Sequence, residues 1–381
     1  MSGGALAGVR VLDLTRYIPG PYATLLLADL GADVVKVEDG PVGDPTRLIP
    51  PAVGGDGAVH GALNRNKRSL LLDWRTPAGA AVVKRLASSA DVLVESFRPG
   101  VLERRGLGAA DLLAANPRLV YCSVTGFGAG DVRAGHDITY AALSGFLGGN
   151  RDAAGEPVLP AAQVADFAGA QNAVIGILAA LQARERTGRG QAVTVSLAHS
   201  ALALQTVRVA RELAGDAGRT ELEGTHACYQ VYRCRDGAHL AVGALEPKFW
   251  EALVTHLGRP DLTDRQWETG PARLRTIEDL RALFLTRDRA SWLEELAHLD
   301  ACVEPVLDPL EAARRTADTT VEQPSGGARM RTLASPLRLS DTPVSIRSAA
   351  PRLGQHTAEV LGELGYAAEE IAALRGEGVL A

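Results

Sequence analysis

Residues 9–38 read VRVLDLTRYIPGPYATLLLADLGADVVKVE. Val9 to Leu14 is a short apolar run of the kind that fills a buried strand. Pro19-Gly20-Pro21 interrupts it, and Tyr22 to Leu30 then has helical character. Pro21 suits a first helical turn, where a missing N–H costs little, and Gly31 closes the helix as a C-cap. Asp33 to Glu38 is a second buried strand. Strand, helix and strand in so short a span form one unit of a parallel sheet.

The same alternation continues outward. Ser69 to Asp73 is a third strand, Thr76-Pro77 opens a helix through about Ser89, Asp91 to Glu95 is a fourth strand and Leu119 to Val124 a fifth. A long helix runs from Asp166 to about Arg186 and stops at Thr187-Gly188-Arg189-Gly190; a strand over Gln191 to Ser196 leads into a helix through about Ala214. The reading is a large Rossmann-like α/β domain whose parallel sheet is covered by helices on both faces.

After 214 the pattern changes. Residues 215–225 are polar and glycine-containing and read as a linker. Cys228 to Cys234, Arg235-Asp236-Gly237 and His239 to Val242 read as a hairpin, and helices follow from about Glu246 to His298. Residues 226–310 are thus expected to form a smaller α+β domain. Residues 311–350 read as a loop-rich return linker, most flexible at Gln323-Pro324-Ser325-Gly326-Gly327. Residues 351–381 supply two helices, Thr357 to Leu364 and Ala367 to Leu374, that return to the large domain of residues 1–214.

Composition narrows the function. The chain has 381 residues with 40 basic and 45 acidic side chains, a formal net charge of −5, which argues against nucleic acid as the main partner. No apolar run approaches the roughly 18–20 residues of a membrane helix, so no membrane partner is expected. Cys122, Cys228, Cys234 and Cys302 show no CxxC pair and no zinc spacing, and no secretory signal opens the chain. A reduced, cytoplasmic protein is the expectation. Lysine is scarce, at positions 36, 67, 84 and 248 only, which fits codon bias and leaves few nucleophilic amines.

Motifs exclude more than they assign. Gly126-Phe127-Gly128-Ala129-Gly130 lacks the spacing of a dinucleotide loop, and there is neither a Walker sequence nor a GxSxG elbow. His136 and Asp137, in Ala-Gly-His-Asp-Ile-Thr-Tyr at 134–140, and Asp166, in Val-Ala-Asp-Phe-Ala-Gly, are the polar residues in apolar or glycine-rich surroundings. Each has a structural reading beside the chemical one: Asp166 as an N-cap, His136 as a satisfied core histidine, Asp137 as a cap for the helix beginning near Ile138. Together, an acid and an imidazole near two helix starts make a general acid/base pair. Glu246, opening a helix, either orients an imidazole or simply complements a helix N-terminus.

These motifs resemble the family III CoA-transferase superfamily, the carnitine-dehydratase or bile-acid-inducible F group, and most of all its α-methylacyl-CoA racemases. The resemblance covers essentially the whole chain. It runs through Gly20-Pro21, Ala28-Asp29-Leu30-Gly31-Ala32-Asp33-Val34-Val35-Lys36-Val37-Glu38, Asn64-Arg65-Asn66-Lys67-Arg68-Ser69, Phe97-Arg98-Pro99-Gly100-Val101 and Gly188-Arg189-Gly190-Gln191 to the closing Leu364-Gly365-Tyr366. His136 stands where the racemases have a histidine, Asp166 matches the superfamily's catalytic aspartate, and Glu246 matches the glutamate that pairs with the histidine.

The resemblance implies an acyl-CoA racemase that interconverts 2-methylacyl-CoA stereoisomers by 1,1-proton transfer between His136 and Asp166, with the Asp166 N–H donating to the thioester oxygen. It implies CoA contacts at Tyr17, Ile18, Leu72, Arg75, Phe97 and Arg104, some of which read equally well as solvated or core residues. It implies no metal and no cofactor beyond the CoA moiety, and an interlocked homodimer in which Glu246 approaches His136 across the interface. A CoA-transferase with Asp166 as nucleophile and a non-catalytic CoA-binding protein are the alternatives. Two departures stand out. Asp39-Gly40 follows Glu38 where family members commonly have Arg-Pro, so one phosphate contact is missing or supplied from elsewhere. Ala162 stands where racemases tend to carry Asn.

Overall fold

The computed structural model describes residues 4–152, 154–216, 218–315, 319–325 and 328–380. Among them the backbone divides into two compact units, one of residues 1–206 and 317–381, the other of residues 207–316.

The first unit is built on β1 (Arg10–Leu14), α1 (Pro19–Asp29), β2 (Asp33–Glu38), β3 (Lys67–Leu71), α2 (Pro77–Ser89), β4 (Val92–Glu95), β5 (Val120–Thr125), α3 (Asp137–Leu143), α4 (Val164–Thr187), β6 (Ala192–Ser196) and α5 (Leu197–Ala203). The six strands form one sheet in the order β3-β2-β1-β4-β5-β6, every neighbour parallel. Its sides follow from the two-residue period of a strand. Val11 joins one apolar core with Val34, Val92 and Val120 beneath α1 and α4. Leu12 and Leu14 join the other with Val35, Leu93 and Tyr121 against α2.

Helix α4 is long and apolar enough to cross a membrane by length and composition, although no uninterrupted apolar run of that length was read in the sequence. Its apolar face is made largely of alanine: Ala165, Ala170, Ala173 and Ala180 are buried, with Ile177, in the core above the sheet. Alanine lets a helix approach closely, and the polar Gln171 and Asn172 interrupt the run in sequence.

The second unit contains β7 (Tyr229–Arg233), β8 (His239–Gly243), α6 (Pro247–His256), α7 (Gly270–Phe284), α8 (Arg289–Leu296) and β9 (Val303–Val306). The hairpin β7–β8 gains β9 as a third antiparallel strand, which sequence reading passed over. Trp250, Trp292, Phe284 and Tyr232 fill its core, and both indole N–H groups donate to backbone carbonyls at 2.9 Å.

Two local expectations are corrected. The return segment is not simply loop: Thr320–Ser325 (β10) pairs antiparallel with Ala328–Leu333 (β11), and Gln323 donates to the Gly61 carbonyl at 2.8 Å. Gly326 and Gly327, within the stretch read as most flexible, lie outside the described residues. The stretch read as linker also carries a short helical turn at Glu221–Glu223. The closing helices are α9 (Thr357–Glu363) and α10 (Ala368–Gly376); Val360 and Leu361 pack into the α2 side of the sheet core.

Candidate active site

The chain builds β1, β2 and β3 outward in one direction and then returns to place β4 on the other side of β1. Where the order reverses, the connections after β1 and β4 leave in opposite directions and open a crevice at the carboxyl ends of the strands. A cleft of about 570 Å³ lies there. Arg16 and Tyr17 reach it from the end of β1, Ser96, Phe97 and Arg98 from the end of β4, and Gly126 from the end of β5; His136 and Tyr140 come from α3 and Asp166 from α4.

Close packing fixes these groups. Tyr140 lies so near Gly126 that a β-carbon there would sit 2.6 Å from its ring, so only glycine fits. Phe127 meets the Tyr140 ring edge-on at 5.0 Å. Tyr17 is held at φ 66°, a left-handed conformation that tyrosine rarely adopts, and sits half exposed with its ring 6.4 Å from that of His136. Strain of this kind concentrates at functional sites.

Asp166 is 8% exposed and is the third residue of α4, with Gln163 at the N-cap. The cap expectation is therefore corrected. The cap comes from Asp137, the first residue of α3, whose Oδ1 accepts from Ala165 N at 2.8 Å and Asp166 N at 3.0 Å. The same contact engages the Asp166 N–H, the group expected to donate to a thioester oxygen. Burial first, and then the nearby Asp137 charge, push the Asp166 carboxyl up to about 7. An acid at that level both takes and gives a proton near neutrality. His136 is exposed at the N-cap of α3, and its N–H donates to Thr139 Oγ1 at 3.1 Å.

The structure brings Tyr17, Phe97, His136 and Asp166 into one cleft. Ile18, Leu72, Arg75 and Arg104, also expected at the site, do not line this cleft, and Glu246 belongs to the second unit. Ile18 is half-buried at the start of α1 and does not line the cleft. Leu72 is fully buried in the sheet core, so its side chain offers no face to a ligand. Arg75 is exposed and paired with Asp73 and Asp39. Arg104 is exposed in a short turn outside the cleft. Glu246 is exposed at the N-cap of α6, on the second unit.

Sequence reading missed Arg16, Arg98 and Tyr140, although the arginines follow the ends of β1 and β4, where open α/β sheets collect functional side chains. It also missed Glu95, which is 7% exposed and accepts from Phe97 N at 2.8 Å. Burial pushes its carboxyl up to about 7 against the lowering effect of the Ser123 hydrogen bond. Among the described residues, no cluster of three or more His, Cys, Asp or Glu is placed to hold a metal ion.

The family model described as CoA-transferase family III matches residues 6–357. The chain is 35% identical to the α-methylacyl-CoA racemase of Homo sapiens over 394 residues, covering 99% of this chain and 97% of the relative. It is 36% identical to the formyl-CoA:oxalate CoA-transferase of Streptomyces avermitilis over 411 residues, covering 99% of each. A crystal structure of a CAIB/BAIF family protein from Brucella suis superposes with a TM-score of 0.81 at 32% identity, covering 96% of this chain and all of that one.

Proposed function

This chain belongs to CoA-transferase family III, and on that premise we propose that it interconverts the stereoisomers of a 2-methylacyl-CoA thioester by 1,1-proton transfer. The observation that carries the reading is the presence of both His136 and Asp166 in one cleft at the switch point of the sheet. A proton α to a thioester carbonyl is a weak acid, so its removal needs a positioned base, and inversion needs a second group on the opposite face of the carbon. One residue takes the proton to leave a planar enolate; the other returns a proton to the far face. General acid–base help of this kind is worth about 10²–10⁴-fold. Positioning of the thioester supplies the remainder. Asp166, with its carboxyl near 7, suits either direction of transfer. Glu246 keeps the role given by resemblance, as the partner of the histidine, and Glu246→Gln tests it.

Transferase chemistry is the second reading, favoured by relatives of that activity at equal identity. There the Asp166 carboxylate would attack the thioester carbonyl, forming a mixed anhydride and releasing CoA thiolate. The two readings separate in one incubation of a single 2-methylacyl-CoA enantiomer in D₂O. Racemisation with one deuterium gained at the α-carbon, and no requirement for a second carboxylic acid, is the expected result. Retained configuration without deuterium, together with CoA transfer to an added acid, would establish the second reading instead.

A further inference from the structure

Asp39 follows the last residue of β2 and is 7% exposed. Its Oδ1 is paired with the guanidinium of Arg16, and its Oδ2 lies 3.5 Å from Arg75 Nη2. Arg16 lines the cleft and stacks its guanidinium 5.2 Å from the centre of the Phe97 ring. Phe97 in turn packs against Trp74 at 4.9 Å. Two arginines, the Asp39 carboxylate between them, Asp73 on the outer side of Arg75 and a stacked aromatic pair thus meet at the carboxyl ends of the central strands, beside the crevice in which folds of this topology seat phosphorylated ligands.

The guanidinium fork fits a carboxylate and a phosphate equally well. The N–H groups turned toward Asp39 are therefore satisfied by the chain's own anion. We propose that Asp39 is a specificity-determining residue, a built-in counter-anion that fills the seat between Arg16 and Arg75 and limits how tightly the cleft holds the phosphate end of its ligand. The identity of that ligand as CoA rests on the reading above; the seat itself does not. A chain with a neutral residue here would present Arg16 free of its carboxylate, and Arg75 held by Asp73 alone, to an incoming phosphate. This one presents a pair whose charge is partly cancelled, which favours release of the CoA product over tight retention.

The test is calorimetric titration of the full chain and its Asp39→Asn variant with three probes: inorganic pyrophosphate, CoA, and pantetheine, which carries no phosphate. Arg16 and Arg75 keep 34% and 51% of their side-chain surfaces exposed, so both rehydrate when the carboxylate is lost. Asp39→Ser, which leaves room for water between the guanidiniums, is the second variant should Asp39→Asn fold poorly by circular dichroism. The expected result is pyrophosphate and CoA binding about tenfold tighter than wild type, a gain that shrinks as salt is raised, and no change for pantetheine. Adding Arg16→Gln should remove the gain. Unchanged or weakened pyrophosphate binding in a folded variant overturns the proposal, as does an equal gain for pantetheine. Tighter pyrophosphate binding with no CoA binding by either protein would leave the seat intact and sink the CoA reading.

Discussion

Two buried carboxyls of the same unit, Asp13 in the sheet and Asp166 on the helix α4 packed over it, have opposite surroundings. Asp13, in β1, is fully buried, with Lys67 Nζ at 3.1 Å, Lys36 Nζ at 3.9 Å, and hydroxyl donors from Thr15 and Thr24. Burial alone would push its carboxyl up, but the two lysines outweigh that and hold it below the usual carboxylate range. Nearby, Glu38 is clamped by Arg47 at 2.7 Å and by Ser69 Oγ at 2.6 Å. Asp166, at the cleft, forms no ion pair among the described residues and has a second carboxylate beside it, and its carboxyl rises to about 7. The sheet interior matches its buried charges and is thereby fixed; the cleft side leaves an acid unmatched, where it can exchange protons. The mismatch, more than burial, marks the site.

The largest expected effect lies on the unmatched side. Asp166→Asn and His136→Gln should each cut racemisation by about 10²–10⁴-fold while leaving the protein folded, read by chiral analysis of the thioester and circular dichroism. Retained racemisation in either variant would break the functional half of the comparison.

On the matched side the effect should fall on stability. Asp13→Asn leaves Lys36 and Lys67 buried without their shared carboxylate, which costs about 3–5 kcal/mol. Urea unfolding measures it, and a loss under about 1 kcal/mol would show that the network is not what fixes the sheet interior.

The two sides should also answer pH with opposite signs. Asp166 and Glu95 have raised folded values, so the stability they contribute is complete below their ordinary carboxylate range and is lost as pH rises through about 7. Asp13 has a lowered value, so its contribution is present above the ordinary aspartate range and is lost only in acid. The melting temperature of Asp166→Asn minus that of wild type should therefore grow between pH 5 and pH 8, toward an upper bound of about 4 kcal/mol in stability. A difference that is flat across this range would contradict the unmatched reading of Asp166.

The smallest effect concerns the cap. Asp137→Ala should cost about 1 kcal/mol of stability and shift the acid limb of the exchange rate to lower pH, since it removes the charge that adds to burial in raising Asp166.

The fold was largely legible because strand and helix periods and their breakers are local. Residues 9–38 alone show the parallel unit, and β1, α1 and β2 lie close to the runs read there. Asp166 and His136 were legible as unusual polar residues, and resemblance supplied their roles. What stayed hidden was long-range pairing. The scarcity of lysine was read as composition, yet Lys36 and Lys67 are fully buried and the latter finds Asp13 across 54 positions. The cap of α4 comes from Asp137, across 29 positions. Asp39 looked like a missing phosphate contact and proved to be bound by Arg16 and Arg75. The period of a sequence shows which face a residue takes, but not which distant charge will meet it.

The claim that the unmatched Asp166 does the chemistry is tested most directly by the rate of α-deuterium exchange into a 2-methylacyl-CoA, measured from pH 5 to pH 9 in wild type and Asp166→Asn. The account predicts exchange in wild type with a limb governed by a group near 7, and the loss of both rate and limb in the variant. No exchange at any pH in wild type, or an undiminished profile in Asp166→Asn, would contradict it.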